Sequence, residues 1–234
     1  HQDWRIDTNI IGATGRRKKL LIADMDSTII GCECIDELAD MAGLKPQVSL
    51  ITERAMRGEL EFEDALKERV ALLKGLPLEA LARVYAERVR LNPGAKALIR
   101  TMRAHGAYCL LVSGGFTYFT ARVAQEAEFD GQSGNLLLDD GKVLSGEVGT
   151  PILGRAAKLE ALENNAKIRG LDMSETMAVG DGANDLGMIE RAGLGVAYHA
   201  KPLVAAAADA AVHFGDLTSL LYLQGYSEND ILRP

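Results

Sequence analysis

The feature that most constrains the fold is a series of five short apolar runs separated by segments with helical periodicity. Runs of this length that are apolar throughout are typical of strands buried on both faces of a parallel sheet. Strands that alternate with helices predict an α/β fold: a doubly wound, mostly parallel, Rossmann-like sheet with right-handed crossovers. The predicted strands are residues 20–23, 107–112, 176–179, 194–197 and 210–214.

The segments between these runs have the apolar spacing of amphipathic helices. Pro93 near the start and Gly106 past the end delimit the first of them, as is usual for helix termini. The acidic stretch at 139–142, between two apolar runs, predicts the turn of a β-hairpin. The predicted helices of this part of the chain are 94–103, 116–127, 155–169, 184–192, 200–208 and 216–223.

One long stretch interrupts the alternation, because residues 33–91 have helical spacing throughout. We expect about four helices there, forming a helical cap inserted into an α/β catalytic core of residues 18–32 and 92–234. Ligands of open α/β sheets bind beyond the carboxyl ends of the strands, so the cap is expected to cover the site. Residues 1–17 show no strong pattern and are expected to be a linker or the remnant of a missing N-terminal region.

Composition argues against several classes of protein. The net charge of −7 is opposite to that of a nucleic-acid-binding protein, whose affinity depends on clustered Lys and Arg. The chain has no apolar run long enough to span a bilayer and no signal peptide, so no membrane partner is predicted. Three cysteines, Cys32, Cys34 and Cys109, form no paired framework, which favours a cytoplasmic location. The oligomeric state is not predicted by any pattern.

Two aspartates, Asp24 and Asp26, directly follow the first predicted strand. Taken alone, such a pair also fits a simpler role, since carboxylates at strand ends often cap the following turn. Ser27 and Thr28 add hydroxyls and backbone amides that suit an anion-binding turn.

Polar residues also end two other strands at the same edge of the predicted sheet. Ser113 and the two glycines after it offer a hydroxyl and free amides to an anion, although a tight turn alone would explain the glycines. Asp181 and Asp185 add two carboxylates, and this many acids at one edge require a cation. Oxygen ligands and a phosphate substrate favour Mg²⁺ over zinc. Lys158, early in a predicted helix, is suited to balance phosphate charge.

Taken in order, these segments resemble the four motifs of the haloacid dehalogenase superfamily, over about residues 18–214. Within it, several cap segments are similar to those of the phosphoserine phosphatase family. The resemblance implies a Mg²⁺-dependent hydrolase that converts O-phospho-L-serine to L-serine and phosphate, the last step of serine biosynthesis, through an aspartyl-phosphate. The matching segments are 24–28, 113–115, Lys158 and 180–185 in the core, and 33–39, 53–58, Phe62 and 66–75 in the cap.

The resemblance also implies roles for the matched core residues. Asp24 is expected to be the nucleophile and Asp26 the general acid and base. Mg²⁺ is expected to be held by Asp24, the main-chain oxygen of Asp26 and Asp181, with Asp185 supporting them from behind. The expected phosphoryl-binding groups are Ser113, Gly114 and Lys158, with Arg155 as an alternative to Lys158.

The substrate-binding residues implied by the resemblance lie mainly in the cap. Glu33 is expected to bind the ammonium of the substrate and Arg69 its carboxylate, through a two-pronged guanidinium. Without the resemblance, both would equally fit solvent-exposed helix charges. Met56 and Phe62 are expected to line the cap, and Asn184 to contact the substrate from the core.

Two other hypotheses share this core. One is a related small-molecule phosphatase or phosphotransferase with another substrate. The other is a non-enzyme, a phospho-accepting signalling module that also uses an aspartate and Mg²⁺ on a doubly wound sheet. Such a module needs neither a second acid at Asp26 nor a helical cap, so both features argue against it.

Overall fold

A computed structural model of the protein describes residues 5–57 and 59–233, apart from the side chain of Met56. The described residues form a six-stranded parallel sheet and a separate two-stranded antiparallel hairpin. The strands are β1 (Leu20–Ala23), β2 (Tyr108–Phe116), β3 (Gly131–Asn135), β4 (Leu137–Asp139), β5 (Leu144–Val148), β6 (Thr176–Gly180), β7 (Gly195–Tyr198) and β8 (Ala210–Val212). The main sheet has the order β3-β2-β1-β6-β7-β8, which confirms the predicted fold class.

The strand β1 lies at the centre of this sheet, between β2 and β6, and all four of its residues are buried. Ala23 pairs with Leu111 on one side and with Val179 on the other, so the three strands run in step. The chain order reverses between β1 and β6, which is the position where open α/β sheets bind ligands. The carboxyl ends of these three strands therefore meet at one crevice.

Alternation along the strands distributes their side chains over both faces of the sheet. Leu21 and Ala23 pack into a large apolar cluster that also contains Leu38 of the inserted helices. Leu20 and Ile22 pack into a second cluster on the opposite face. The sheet is thus buried on both sides, as apolar runs without polar interruptions require.

The stretch that follows the first strand is helical, as its spacing predicts. Its helices pack in sequence, α1 against α2 and α4, and α2 against α3. The hairpin of β4 and β5 contacts this group, because the Gly75 amide donates to the Leu144 carbonyl at 2.8 Å. The helices between residues 33 and 91 are α1 (Cys34–Met41), α2 (Lys45–Met56), α3 (Phe62–Leu72) and α4 (Glu79–Arg88).

The other helices connect the strands of the sheet and occur where predicted, with shifted ends. The largest shift is at the last of them, which begins at Ser219 rather than at residue 216. Before the fourth, residues 183–185 form a 3-10 turn. None of the helices in the described ranges is long and apolar enough to cross a membrane. They are α5 (Ala95–Ala104), α6 (Thr117–Ala127), α7 (Arg155–Ile168), α8 (Leu186–Arg191), α9 (Pro202–Ala207) and α10 (Ser219–Leu223).

The sheet differs from its sequence-based prediction at two strands. The second strand does not end at residue 112 but continues through Ser113 and the two glycines to Phe116. The strand β3 has no apolar run, since its sequence is Gly-Gln-Ser-Gly-Asn, and it was not predicted. Its pairing with β2 makes it a strand, because tertiary context outweighs its low β propensity.

Residues 5–17 form neither helix nor strand, yet two of their side chains bind the edge of the sheet. The side-chain amide of Asn9 donates to the Ala211 carbonyl at 3.0 Å, and its oxygen accepts from the Ala211 amide at 2.9 Å. The Asp7 carboxylate accepts from the backbone amides of His213, Phe214 and Gly215. This segment therefore covers polar groups of the edge strand β8.

Candidate active site

Asp24 lies at the centre of a buried charge cluster where β1 ends. Its backbone amide donates to the Val179 carbonyl at 3.0 Å, which continues the pairing with β6 by one residue. The Lys158 ammonium contacts Asp24 Oδ2 at 2.7 Å and Asp185 Oδ1 at 2.6 Å. Exposure of these side chains is 7% or less. One buried lysine thus holds two carboxylates in place.

Asp26 reaches the same crevice because the chain turns sharply after β1. Ser27 has φ 57°, in the left-handed region that side chains rarely adopt, and this residue reverses the chain direction. Asp26 Oδ1 accepts from the Cys34 amide at 2.9 Å, and Oδ2 accepts from the Ser113 hydroxyl at 3.2 Å. A side chain added at Gly115 would collide with Asp26 Oδ2, at 2.7 Å from its Cβ.

Burial and crowding of like charges shift the pKa values of the carboxyl groups. Burial, reinforced by the charge of Asp185, raises the pKa of Asp24 well above its ordinary value. Burial and the charge of Glu33 raise the pKa of Asp26 to about 7. Burial and Asp185 raise the pKa of Asp181 to about 6. The site therefore favours a bound cation or a shared proton.

The Lys158 ammonium experiences two opposing effects. Burial alone lowers its pKa, but the adjacent charges of Asp24 and Asp185 outweigh burial and raise it above the ordinary lysine value. The ammonium is therefore charged at neutral pH. Lys158 supplies positive charge at the strand ends without a change in protonation.

The donor set of the crevice fits a metal ion. Asp24, Asp181 and Asp185 each offer a carboxylate oxygen, and these oxygens lie within 4.8 Å of one another. The Thr28 hydroxyl donates to Asp181 Oδ1 at 3.0 Å and orients that carboxylate. Donors that are all oxygen suit a hard divalent cation. Asp185, which we expected to support the ligands rather than to be one, lies in this cluster. Its carboxylate accepts from the Lys158 ammonium and from the Gly182 amide, the latter at 3.0 Å.

A cavity of about 510 Å³ opens above these carboxylates, within the size range of small-molecule sites. Its wall is formed on one side by the strand ends and on the other by helices of the 33–91 insert. Nine of the predicted site residues line it: Asp24, Asp26, Glu33, Phe62, Arg69, Ser113, Gly114, Asp181 and Asn184.

Two charged residues of the 33–91 stretch, Glu33 and Arg69, line the cavity. Glu33 Oε1 accepts from the Ser27 hydroxyl at 2.6 Å. Arg69 donates through Nε to the Ala65 carbonyl of its own helix at 3.2 Å. Burial lowers the pKa of Arg69, and the charges of Asp36 and Glu33 act against this effect. The cavity therefore has an acidic and a basic group on its cap side.

Three further expectations have different outcomes. A Cβ at Gly114 would lie 2.9 Å from the ring of Phe62, so the cap and the strand end are in contact there. Arg155 is exposed at the start of α7, whereas Lys158 of the same helix contacts Asp24. The Met56 side chain lies outside the described part of the structure, and its expected role is untested.

Sequence reasoning missed three residues of this region. Asp36 and Lys201 line the cavity, and the Lys201 amide donates to the Asp181 carbonyl at 3.3 Å. The Lys-Pro pair that opens α9 just past a strand end was the available signal for Lys201. Asn135, buried at the end of β3, hydrogen-bonds the Gly114 carbonyl at 2.8 Å. It had no signal, because its strand was not predicted.

The fold and the site define the class of protein. The chain has a doubly wound sheet with an acidic crevice at its topological switch point. Its residues 21–190 match the family model described as haloacid dehalogenase-like hydrolase. Comparison with relatives indicates which group of these hydrolases the chain is similar to. The chain is 46% identical over 205 residues to "Phosphoserine phosphatase" of Archaeoglobus fulgidus, covering 88% of this chain and 59% of that protein.

Two other relatives match over most of their own length. "Phosphoserine phosphatase" of a Polaromonas species is 44% identical, covering 88% of this chain and 89% of that protein. A solved structure described as "Phospho-Aspartyl Intermediate Analogue of Phosphoserine phosphatase" is 40% identical with a TM-score of 0.80, covering 88% of this chain and 98% of that one. The chain belongs to the haloacid dehalogenase-like hydrolases and, among them, to the phosphoserine phosphatase family.

Proposed function

We propose that the protein hydrolyses O-phospho-L-serine to L-serine and inorganic phosphate, with Mg²⁺ as its cofactor. The observation that carries the proposal is the pairing of two aspartates, Asp24 and Asp26, at one end of a cavity whose other side carries Glu33 and Arg69. The chain spans 59% of its Archaeoglobus relative, so the activity of the whole protein is inferred.

We assign Asp24 as the nucleophile. Its carboxylate attacks phosphorus, the bond from phosphorus to the serine oxygen breaks, and an aspartyl-phosphate forms. Asp26 gives its proton to the departing oxygen. A pKa of about 7 suits this exchange, because the group can be protonated at the start and ionised afterwards. The 40% identical structure, described as a phospho-aspartyl intermediate analogue, supports this route.

In the second step, Asp26 accepts a proton from a water molecule, which attacks phosphorus and releases phosphate from Asp24. Both steps need the phosphoryl group held in line with the attacking oxygen. We assign this task to the Ser113 hydroxyl, the Gly114 amide and the Lys158 ammonium. Lys158 is already charged and fixed by two carboxylates, so it neutralises phosphate without reorganising.

The metal ion is assigned to Asp24, Asp181 and the main-chain oxygen of Asp26. When bound, Mg²⁺ supplies positive charge that offsets the carboxylates and the phosphoryl group. Asp185 supports this arrangement through Lys158 and the Gly182 amide. The clustering of three carboxylate oxygens within 4.8 Å supports the assignment, since such a cluster is costly without a cation.

The amino-acid part of the substrate is assigned to the cap side of the cavity. Arg69 is assigned to the carboxylate and Glu33 to the ammonium. We further assign Phe62 and Met56 to the lining of the cap and Asn184 to a contact with the substrate from the core. Formation of L-serine would give the protein a role in serine biosynthesis. The three cysteines, which are free, fit a cytoplasmic location.

The test is phosphate release from a panel of monoesters: O-phospho-L-serine, O-phospho-L-threonine, a sugar phosphate and p-nitrophenyl phosphate. We expect rapid hydrolysis of O-phospho-L-serine with Mg²⁺ and its loss with a chelator. Equal rates across the panel would contradict the serine assignment and favour a general small-molecule phosphatase. A stable phosphorylated chain without turnover would favour a signalling module.

A further inference from the structure

The strand β2 contains an irregularity at its catalytic end. Val112 pairs with Ser133 and Phe116 pairs with Asn135, so three residues of β2 face one residue of β3. Residues 113–115 therefore bulge out of the ladder. Bulges next to active sites redirect side chains. Here the bulge turns the Ser113 hydroxyl toward Asp26 Oδ2, at 3.2 Å.

The bulge carries the phosphoryl-binding groups but has lost the hydrogen bonds of a regular ladder, so other contacts must hold it. Asn135 supplies one. Its side-chain nitrogen donates to the Gly114 carbonyl at 2.8 Å and to the Leu153 carbonyl at 3.2 Å. Its side-chain oxygen accepts from the Leu153 amide at 2.7 Å. The residue is 2% exposed, so no water replaces these bonds readily.

The second partner of Asn135 leads to the other phosphoryl-binding element. Leu153 directly precedes Gly154, which caps the helix α7. That helix carries Lys158 one turn in, against Asp24. The Asn135 side chain therefore connects the bulge, which contains Ser113 and Gly114, to the start of α7, which carries Lys158.

We propose that Asn135 is a positioning residue that fixes the distance between the two halves of the phosphoryl-binding pocket. This proposal rests on the proposed function of that pocket. Only an amide has both donors and an acceptor at this length: an aspartate would set a carboxylate against two carbonyl oxygens, and an alanine would leave the Leu153 amide and two carbonyls unpaired. A displacement of about 1 Å at such a site can cost roughly 100-fold in rate.

The test uses the full chain with Asn135→Ala and Asn135→Asp. The second variant keeps the size of the side chain and the acceptor for the Leu153 amide, and removes the donors to both carbonyls. Steady-state kinetics with O-phospho-L-serine should show kcat/KM lower by roughly 100-fold in both variants. The dissociation constant of inorganic phosphate, measured by calorimetry with Mg²⁺, should rise about tenfold.

The matched control is Gln224→Ala. Gln224 is also a buried amide that accepts from a backbone amide, that of Lys18, and donates to a backbone carbonyl, that of Leu220, but far along the chain from the site. It should lower the melting temperature while leaving phosphate affinity and kcat unchanged. Phosphate affinity within twofold of the unmodified chain in a folded Asn135 variant would overturn the proposal.

Phosphate binding also separates this proposal from the proposed function. If the unmodified chain does not hydrolyse O-phospho-L-serine, the substrate assignment fails, yet the effect of Asn135→Asp on phosphate affinity still tests the positioning role. If the chain hydrolyses O-phospho-L-serine and Asn135→Asp does so equally well, the positioning role fails alone.

Discussion

The two walls of the cavity are built in different ways. The strand-end wall (Asp24, Asp26, Ser113, Asp181 and Asn184) continues from a sheet buried on both faces, and hydrogen bonds fix several of its polar atoms. The cap wall (Glu33, Asp36, Phe62 and Arg69) is formed by short amphipathic helices. The ion pairs at the strand ends and those of the inserted helices accordingly differ in their exposure to solvent.

At the strand ends, Lys158, Asp24 and Asp185 form ion pairs with at most 7% exposure. Removing one member of such a group leaves an uncompensated buried charge, which typically costs about 3–5 kcal/mol. In the insert, the ion pair of Arg54 and Glu68 is more than 40% exposed at both side chains. Pairs of that kind contribute little stability.

From this difference we expect phosphoryl transfer to depend on the strand-end wall and substrate selectivity to depend on the cap wall. The strand-end wall continues from strands that are buried in the core and is held by hydrogen bonds and ion pairs to them. Substitutions of its residues should therefore abolish turnover. The cap wall is expected to tolerate more change, because ion pairs of the insert such as that of Arg54 and Glu68 are exposed to solvent. Substitutions there should change which substrate is bound and leave phosphoryl transfer intact.

The largest expected effect is at the strand ends. Asp24→Asn removes the proposed nucleophile and should lower kcat for O-phospho-L-serine by at least about 10⁴-fold. Phosphate release under saturating substrate measures this. The control is Asp139→Asn in the exposed hairpin turn, where the carboxylate accepts only a local bond from the Gly141 amide. A loss below tenfold in Asp24→Asn would remove the distinction between the two walls.

A smaller, selective effect is expected in the cap. Arg69→Ala removes the proposed carboxylate-binding group and should raise KM for O-phospho-L-serine by about 10- to 100-fold, the range of a hydrogen-bonded charge. Hydrolysis of p-nitrophenyl phosphate, which has no carboxylate, should change less than threefold by the same reasoning. Arg83→Ala in α4, whose partner Glu87 is exposed, serves as the control. Equal loss on both substrates would contradict a selective role for Arg69.

An effect of intermediate size is expected at Thr28, next to the proposed metal ligand Asp181. Thr28→Val keeps the shape of a fully buried side chain and removes the hydroxyl that orients Asp181. The Mg²⁺ concentration for half-maximal activity should rise by about tenfold, as for other residues that orient ligands. Thr101→Val, also fully buried, loses only a bond from the Leu232 amide and should leave the Mg²⁺ requirement unchanged. An unaltered requirement in Thr28→Val would mean that Asp181 needs no orientation.

The smallest expected effect is on stability, away from both walls. Burial acts to raise the pKa of Asp7, but three backbone amides and His213 outweigh it and lower the pKa. A lowered folded-state pKa contributes stability that is present above the unfolded value of about 4 and lost as pH falls through the folded value. Asp7→Asn should cost roughly 1 kcal/mol at pH 7, reduced for partial exposure, and less below pH 4.

Urea unfolding at pH 7 and at pH 3 measures this difference. The control is Asp139→Asn, an exposed carboxylate that accepts one local bond from the Gly141 amide and should show a smaller effect at both pH values. A stability difference for Asp7→Asn that does not depend on pH would contradict the assigned hydrogen bonds.

The sequence predicted the strand-end wall more completely than the cap wall. Asp24, Ser113 and Asp181 follow apolar runs of the sequence, and the carboxyl ends of neighbouring parallel strands lie at one edge of the sheet. Arg69 lies in α3 and Glu33 directly precedes α1, and at both positions a charge at the cavity has the same local pattern as one in solvent. Asn135 was missed because β3 becomes a strand only by pairing with β2. Long-range pairing of this kind leaves no local signal.

If Asp24 is the nucleophile, it carries the phosphoryl group during turnover. The direct measurement is an acid quench of the protein during turnover of ³²P-labelled O-phospho-L-serine, followed by peptide mapping and mass spectrometry. We expect a hydroxylamine-sensitive label on Asp24, absent from Asp24→Asn and retained in Arg69→Ala at higher substrate concentration. Turnover without any label on Asp24, or with the label on another residue, would contradict the assignment of Asp24 as the nucleophile.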